Sequence, residues 1–158
     1  MIRDIRRNGA QPKDTMHKAG VALVTGMGVV IKDATTVELP KAETVANIYV
    51  ATKERIPTGV NAARMDMSDY DEDFVNIAKG EFLGLERYTD GEKFATDQYK
   101  EADFSGEVAD GTPVSVGADG KWQKLTTGSS KYVYEKPFKD NGHDLIMIRV
   151  EADAVAQA

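Results

Sequence analysis

The sequence predicts an all-β protein, built as a small β-barrel or β-sandwich with an extended N-terminal arm. Between residues 20 and 56 the chain is rich in Val, Ile and Thr, whose branched side chains pack well on pleated sheets. Farther along, short apolar runs alternate with glycine-containing turn pairs, and no long amphipathic helical pattern interrupts them. We therefore predict an arm over residues 1–19, one β domain over residues 20–151 and a flexible tail over residues 152–158.

The predicted arm has little hydrophobic periodicity, and Asn8-Gly9 and Pro12 disfavour the interior of a helix or strand. Guanidinium groups favour two-pronged contacts with carboxylates at interfaces, so the cations of this segment are candidates for binding a partner. The candidate partner-binding residues are Arg3, Arg6, Arg7, Lys13 and Lys18. The alternative interpretation is an ordinary disordered terminus.

The first strands of the domain surround a Gly-x-Gly within residues 21–31, a pattern that also suits the start of a dinucleotide-binding unit. That unit needs a third glycine and then a helix. This chain has Ile31 at the third position, followed by β-branched residues and Pro40. We therefore interpret Gly26 and Gly28 as a bend or bulge between two strands, and we predict no cofactor.

The rest of the domain is predicted as short strands joined by tight turns. Residues 42–56 fit both a helical stripe and a buried strand, and we interpret them as strand. Because glycine tolerates a positive φ and Asp or Asn tolerates the left-handed region, four dipeptides suit hairpin turns. They are Asp90-Gly91, Asp110-Gly111, Asp119-Gly120 and Asn141-Gly142. The clearest hairpin covers residues 112–125, with Trp122 on its return strand, and residues 144–150 are apolar on both faces, as in a central strand.

Residues 58–73 are polar and acidic, and they predict a long surface loop. Three of its aspartates alternate as at the start of a calcium-binding loop: Asp69, Asp71 and Asp73. However, Phe74 and Gly80 occupy the positions where that loop needs glycine and glutamate. We therefore prefer a solvated loop and predict no metal site, while a looser cation site within residues 66–73 stays open.

The sequence points to no catalytic residues, and we predict that the chain is not an enzyme. It contains no cysteine, which excludes thiolate nucleophiles, and its only histidines are His17 and His143. No Gly-x-Ser-x-Gly nucleophile elbow accompanies them. A hydrolase built from His143 and the acidic residues 66–73 is an open alternative.

The charge is uneven along the chain. A net charge of −6 argues against general nucleic-acid binding, and no apolar run approaches the length of a membrane span, so we predict neither partner. The first residues lack the apolar centre of a secretion signal, which favours synthesis in the cytoplasm. Residues 1–18 are basic and residues 66–110 strongly acidic, so the two segments could attract each other between copies or could both stay solvated.

Two stretches resemble the glycine-punctuated β-hairpins of tailed-bacteriophage capsid decoration (cement) proteins: AKGEFLGLERYTDGEKF (78–94) and DGTPVSVGADGKWQKL (110–125). The resemblance implies a small β-barrel or β-tulip on the outside of a capsid, often a trimer, that bridges neighbouring subunits of the major capsid protein. It therefore implies a virion structural protein without catalytic residues.

Two other kinds of non-enzymatic protein are open alternatives. Similar hairpins occur in phage tail and baseplate proteins. A β-sandwich that binds carbohydrate or a host surface is the second alternative, with Trp122, Tyr132 and Tyr134 as stacking faces. Exposure of these three rings on one surface favours that module, whereas their burial favours the capsid protein.

Overall fold

The computed structural model describes residues 1–9, 13–53 and 72–157, and strands account for most of the described residues. The strands are β1 (Ile2–Arg6), β2 (Lys18–Ala19), β3 (Leu23–Val24), β4 (Gly28–Asp33), β5 (Thr36–Glu38), β6 (Tyr49–Lys53), β7 (Asn76–Ile77), β8 (Leu83–Glu86), β9 (Lys93–Thr96), β10 (Val114–Val116), β11 (Trp122–Lys124), β12 (Ser129–Asp140) and β13 (His143–Ala156). Two single-turn helices, α1 (Glu72–Val75) and α2 (Glu101–Phe104), complete the described elements. The all-β prediction is confirmed, and β6 confirms strand within residues 42–56. Most of the predicted acidic surface loop, up to residue 71, lies outside the described residues.

A four-stranded antiparallel sheet has the order β1-β9-β13-β12. The hairpin between β12 and β13 turns at Asn141 and Gly142, whose φ angles of 48° and 86° match a primed hairpin turn. The apolar run from Leu145 to Ile148 is buried, and β13 lies between β9 and β12. The predicted central strand at residues 144–150 is therefore confirmed.

A five-stranded sheet has the order β2-β5-β4-β6-β8, with only β2 and β5 parallel. Residues 14–19 also lie along β8, because Leu83 N donates to His17 O (3.2 Å) and Ala19 N donates to Glu81 O (2.9 Å). The segment that contains the outer strand β2 therefore also contacts β8, the outer strand at the opposite edge. The ladders of named strands are nevertheless open, and no described sheet is a closed barrel.

The Gly-x-Gly is a turn between two strands, as predicted. β3 passes into β4 through Gly26, whose φ is 98°. A Cβ at Gly26 would lie 2.5 Å from Thr96 Oγ1 and 2.6 Å from Met1 O. No helix follows, since β4 begins at Gly28.

The best predicted hairpin is present, but two of the other turn pairs do not join paired strands. β10 and β11 pair in antiparallel register around Asp119-Gly120. Gly91 and Gly111 have the positive φ of a tight turn, 82° and 86°. However, β8 and β9 on either side of Gly91 belong to different sheets, and Gly111 follows the α2 region. For these two pairs the hairpin prediction is wrong, because the dipeptide sets the turn and not the pairing of the strands beside it.

The largest cluster of buried side chains combines aromatic rings with Val and Ile, and it includes residues of the four-stranded sheet. Phe94 contacts Tyr88 at 4.3 Å and Trp122 at 5.3 Å between ring centroids, and Trp122 contacts Tyr132 at 5.2 Å. A second cluster consists mainly of side chains of the five-stranded sheet, and a third contains Met1, Ala95 and Leu145. Burial of large rings at such contacts is a major source of stability in cores of this kind.

Both chain ends differ from the sequence prediction. Residues 2–6 form β1 in the sheet instead of a free extended arm, and Met1 is 2% exposed. β13 continues to Ala156, so residues 152–156 are strand instead of a flexible tail. The cause is long-range pairing in each case: β1 pairs with β9, and Val155 and Ala156 pair with Ser130 and Ser129.

Candidate functional site

Three of the five predicted partner-binding cations contact carboxylates of their own chain. Arg3 Nε donates to Asp140 Oδ2 (2.6 Å), and Lys13 Nζ lies 3.0 Å from Glu86 Oε1. Arg7 lies between 3.6 and 3.8 Å from three carboxylates: Asp4, Glu86 and Glu92. The basic segment therefore meets acidic residues of the same molecule, which fixes β1 against β8 and β9.

Tyr88 is the centre of this charged cluster. The guanidinium of Arg7 lies 4.3 Å from the centroid of the Tyr88 ring, a cation–π contact. The Tyr88 hydroxyl donates to Asp4 Oδ1 (2.6 Å) and lies 3.1 Å from Glu86 Oε2. Burial, the charge of Glu86 and the hydrogen bond to Asp4 raise the pKa of Tyr88, so the phenol stays a protonated donor.

Glu92 is a fully buried carboxylate, with 0% of its surface exposed. Its oxygens accept hydrogen bonds from Asn8 N (2.9 Å) and Thr89 N (2.7 Å). Burial acts to raise the pKa of Glu92, but these two bonds and the charge of Arg7 outweigh it and hold the pKa below its usual 4.5. Glu92 is thus charged at neutral pH and links the end of β1 to the turn before β9.

A cleft of about 420 Å³ opens beside this cluster. Its charged and polar lining includes Asp4, Arg7, Lys13, Tyr49, Glu86 and Arg87. The Nη1 atom of Arg7 is buried and donates no hydrogen bond within the described part of the chain. Because both cations and carboxylates line the cleft, the interactions that it offers are mainly ion pairs.

The other two predicted cations face outward. Arg6 is exposed on β1 and forms no ion pair with the residues that the structure describes. Lys18 is also exposed, and its Nζ lies 4.7 Å from the centroid of the Phe82 ring. Arg6 and Lys18 are therefore the members of the predicted set that present their charge to solvent.

The three rings considered as stacking faces are core residues. Trp122, Tyr132 and Tyr134 are 0%, 8% and 5% exposed. All three belong to the largest buried cluster, and Trp122 Nε1 donates to Gly26 O (3.3 Å). They hold the sheets together instead of forming a platform on the surface.

The two histidines lie in different places. His17 is 9% exposed, and its Nδ1 lies 3.0 Å from Asp14 Oδ2. His143 lies in a cleft of about 610 Å³ that also contains Ser105 and the carboxylates of Asp97, Glu101 and Asp144.

The hydrolase and cation hypotheses both involve residues 66–71, which lie outside the described residues. Ser105, beside His143, donates its hydroxyl proton to Ala102 O (3.3 Å). Among the residues that the structure describes, no group of three or more His, Asp or Glu side chains is arranged to hold a metal ion.

Sequence reasoning missed the residues that receive the basic segment. They are Glu86, Tyr88, Glu92, Asp97 and Asp140. One local signal was available for Glu92, because it follows Thr89 by three residues, the spacing at which a glutamate reaches back to a backbone N–H. The other partners are distant in sequence from the segment that they bind, and no local pattern marks them.

Comparison of the chain with protein-family models, with curated proteins and with solved structures finds no match. Within the described ranges, no helix has the length and apolar character needed to cross a bilayer.

Proposed function

We propose that this chain is a virion structural protein that binds the outer surface of a tailed-phage capsid. Its partner is the major capsid protein, and it acts as a homo-oligomer, with a trimer favoured. It stabilises contacts between neighbouring capsid subunits and carries out no catalysis.

The burial of Trp122, Tyr132 and Tyr134 is the observation that carries this proposal. A module that binds sugar or a host surface through these rings needs them exposed on one face. Here they pack in one cluster with Phe94 and Ile148. Burial therefore favours the capsid protein over the carbohydrate-binding alternative.

Hydrogen bonds that fix the loop at Glu43 and Thr44 also support a role in reinforcing a capsid. Thr44 exchanges backbone hydrogen bonds with Val116 (2.9 and 3.0 Å), and Glu43 accepts hydrogen bonds from Ser115 and from Thr126. Although burial acts to raise the pKa of Glu43, these bonds lower it to about 2. A clamp between capsid subunits gains from such rigidity, and an oligomer adds avidity because each bound copy raises the effective concentration of the next.

Arg6 is the residue that we assign to the capsid contact. It is exposed on β1 and has no ion pair with a described residue, while Arg3, Arg7 and Lys13 pair within the chain. An exposed guanidinium on a strand is suited to a two-pronged contact with a capsid carboxylate.

The experiment mixes the purified protein with capsids isolated from virus that lacks its gene and measures co-sedimentation. We expect saturable binding, a location on the outer shell by electron microscopy and a higher disruption temperature of the capsid. Arg6→Glu should weaken binding about tenfold. Lys41→Glu, an equal charge change at another exposed cation, should bind as the wild type does.

Absence of co-sedimentation contradicts the proposal. Binding to tails or baseplates instead of the shell favours the alternative that the chain is a tail or baseplate protein, a class in which similar hairpins occur. A variant Arg6→Glu that binds as well as Lys41→Glu removes Arg6 from the interface.

A further inference from the structure

An exposed patch that is both apolar and cationic lies on the outside of the five-stranded sheet. Met16 is 74% exposed and Phe82 is 52% exposed, the two highest values among the large apolar side chains that the structure describes. Residues 16–19 alternate between exposed and buried, so Met16 and Lys18 share the outer face. Lys18 lies opposite Phe82 in an antiparallel bridge and covers its ring at 4.7 Å. We call these three residues the Lys18 patch.

A cleft of opposite charge lies between α2 and the turn of the β12–β13 hairpin. Its volume is about 610 Å³. Tyr99 and Phe104 form aromatic walls and meet edge to face at 5.7 Å. Three carboxylates, the hydroxyl of Ser105 and the ring of His143 line the remainder, and the carboxylates are Asp97, Glu101 and Asp144. We call this site the acidic cleft.

Glu101 is the carboxylate of the acidic cleft that can receive a new cation. Asp97 already pairs with the ammonium of Met1 (2.6 Å), and Asp144 pairs with Lys139 (2.9 Å). Glu101 is exposed and forms no ion pair with any residue in the described ranges. The pKa of Tyr99 is raised by burial and then by the charges of Asp144 and Glu101, which indicates a negative potential inside the cleft.

We propose that the Lys18 patch of one copy docks in the acidic cleft of a second copy. Lys18 pairs with Glu101, while Met16 and Phe82 pack against the rings of Tyr99 and Phe104. Each part has a physical cause: opposite charges attract, ammonium groups bind aromatic faces and methionine sulfur contacts ring edges favourably. The proposed function includes a homo-oligomer, and this contact specifies the two surfaces that meet in it. The inference therefore rests on the proposed self-association.

Charge complementarity is the reason for choosing a second copy as the occupant. The chain carries a net charge of −6, so two copies repel each other unless a cationic surface meets an acidic one. The Lys18 patch and the acidic cleft supply these two surfaces on one molecule. Because the surfaces differ, the contact is heterologous, and it closes into a ring when the rotation between copies allows it.

The test measures self-association of the purified full chain by sedimentation equilibrium, with no capsid present. Lys18→Glu and Glu101→Lys should each weaken association about tenfold, because each places like charges opposite each other. The double variant Lys18→Glu/Glu101→Lys restores opposite charges and should return to within about threefold of wild type. Added salt should weaken the wild-type oligomer.

Lys41→Glu is the matched control, since it makes the same change in net charge at an exposed lysine outside both surfaces. A wild-type chain that is monomeric at every concentration overturns the proposal, and so does an oligomer that all three variants leave unchanged. An oligomer weakened by both single variants and equally weak in the double variant also overturns the pairing. Failure of capsid binding with a normal charge-swap result leaves this contact intact and contradicts only the capsid function.

Discussion

Near each chain end a short segment pairs with another strand, residues 2–6 with β9 and residues 155–156 with β12. The first segment is fixed by buried and charged side chains and the second mainly by backbone hydrogen bonds. The ammonium of Met1 is bonded to Asp97 Oδ1 (2.6 Å) and Thr25 O (2.8 Å) inside the protein. At the other end, residues 152–154 and 156 are exposed, and Gln157 N donates to Gly128 O (2.9 Å). Two chain ends with the same secondary structure therefore contribute unequally to the stability of the domain.

The register of the strands shows the same difference. β1 follows β9 with one irregularity, between Asp4 and Arg6. On β13 the pairing jumps from Val150 opposite Tyr132 to Val155 opposite Ser130, so the residues between them form a wide bulge. Such a bulge interrupts the ladder and leaves few buried side chains to hold the last residues.

Deleting each chain end in turn is the most direct test of their unequal contributions to stability. Deletion of residues 1–9 should cost more than about 4 kcal/mol of unfolding free energy, because it removes Arg7 and Asn8 from the buried Glu92, removes the ammonium from Asp97 and exposes the cavity of Met1. Deletion of residues 153–158 should cost less than about 1 kcal/mol, because these side chains are mostly exposed. Urea unfolding followed by tryptophan fluorescence reports both values through buried Trp122. Equal losses for the two deletions would show that the side-chain contacts of β1 add nothing.

Two glycines offer a matched test of the contact with Met1. Gly26 and Gly128 have nearly the same φ, 98° and 96°. A Cβ at Gly26 would lie 2.6 Å from Met1 O, whereas a Cβ at Gly128 meets nothing within 4 Å. Gly128→Ala should therefore cost about 1 kcal/mol for the backbone conformation alone, and Gly26→Ala about 3 kcal/mol, including the clash. Thermal unfolding monitored by circular dichroism gives both values, and a difference near zero would contradict the tight packing of β1 on this turn.

Lowering the pH should destabilise the pairing of β1 with β9 before it destabilises the pairing of the C-terminal strand. Because the folded pKa of Glu92 lies below the usual 4.5, its stabilisation is complete above pH 4.5 and is lost as the pH falls below that value. Glu92→Gln should cost about 2 kcal/mol at pH 7 and reduce the loss of stability in acid. Urea midpoints at neutral and acid pH, together with amide exchange of residues 2–6, measure this effect. The control is Asp153→Asn, at an exposed position on the C-terminal strand, which should leave the urea midpoint at neutral pH unchanged.

Local chemistry predicted the parts of this fold in which a turn and its strands are adjacent in sequence. Asn141-Gly142 specified the hairpin of β12 and β13, and the alternation around Asp119-Gly120 predicted the hairpin of β10 and β11 with Trp122 on its return strand. The positive charge of residues 1–18 predicted carboxylate partners on another molecule, whereas Arg3, Arg7 and Lys13 contact carboxylates of their own chain. Which carboxylates they meet depends on Glu86, Glu92 and Asp140, which only the folded sheets bring together. A docked strand and a free arm have the same local sequence pattern, so the sequence alone did not separate them.

The smallest of these effects concerns the ion pair between the Met1 ammonium and Asp97. Asp97→Asn keeps an oxygen that accepts from the ammonium but removes the charge attraction, so it should cost about 1–2 kcal/mol of unfolding free energy. Asp153→Asn removes an equal charge from an exposed position on the C-terminal strand and should leave the urea midpoint unchanged. Added salt should leave most of the difference between the two variants in place, because Met1 is only 2% exposed and the Asp97 side chain 27% exposed, and a partly buried pair is screened less than a surface pair. A difference that vanishes in salt would instead place this ion pair in water, and the contrast between the two chain ends would then come from apolar packing alone.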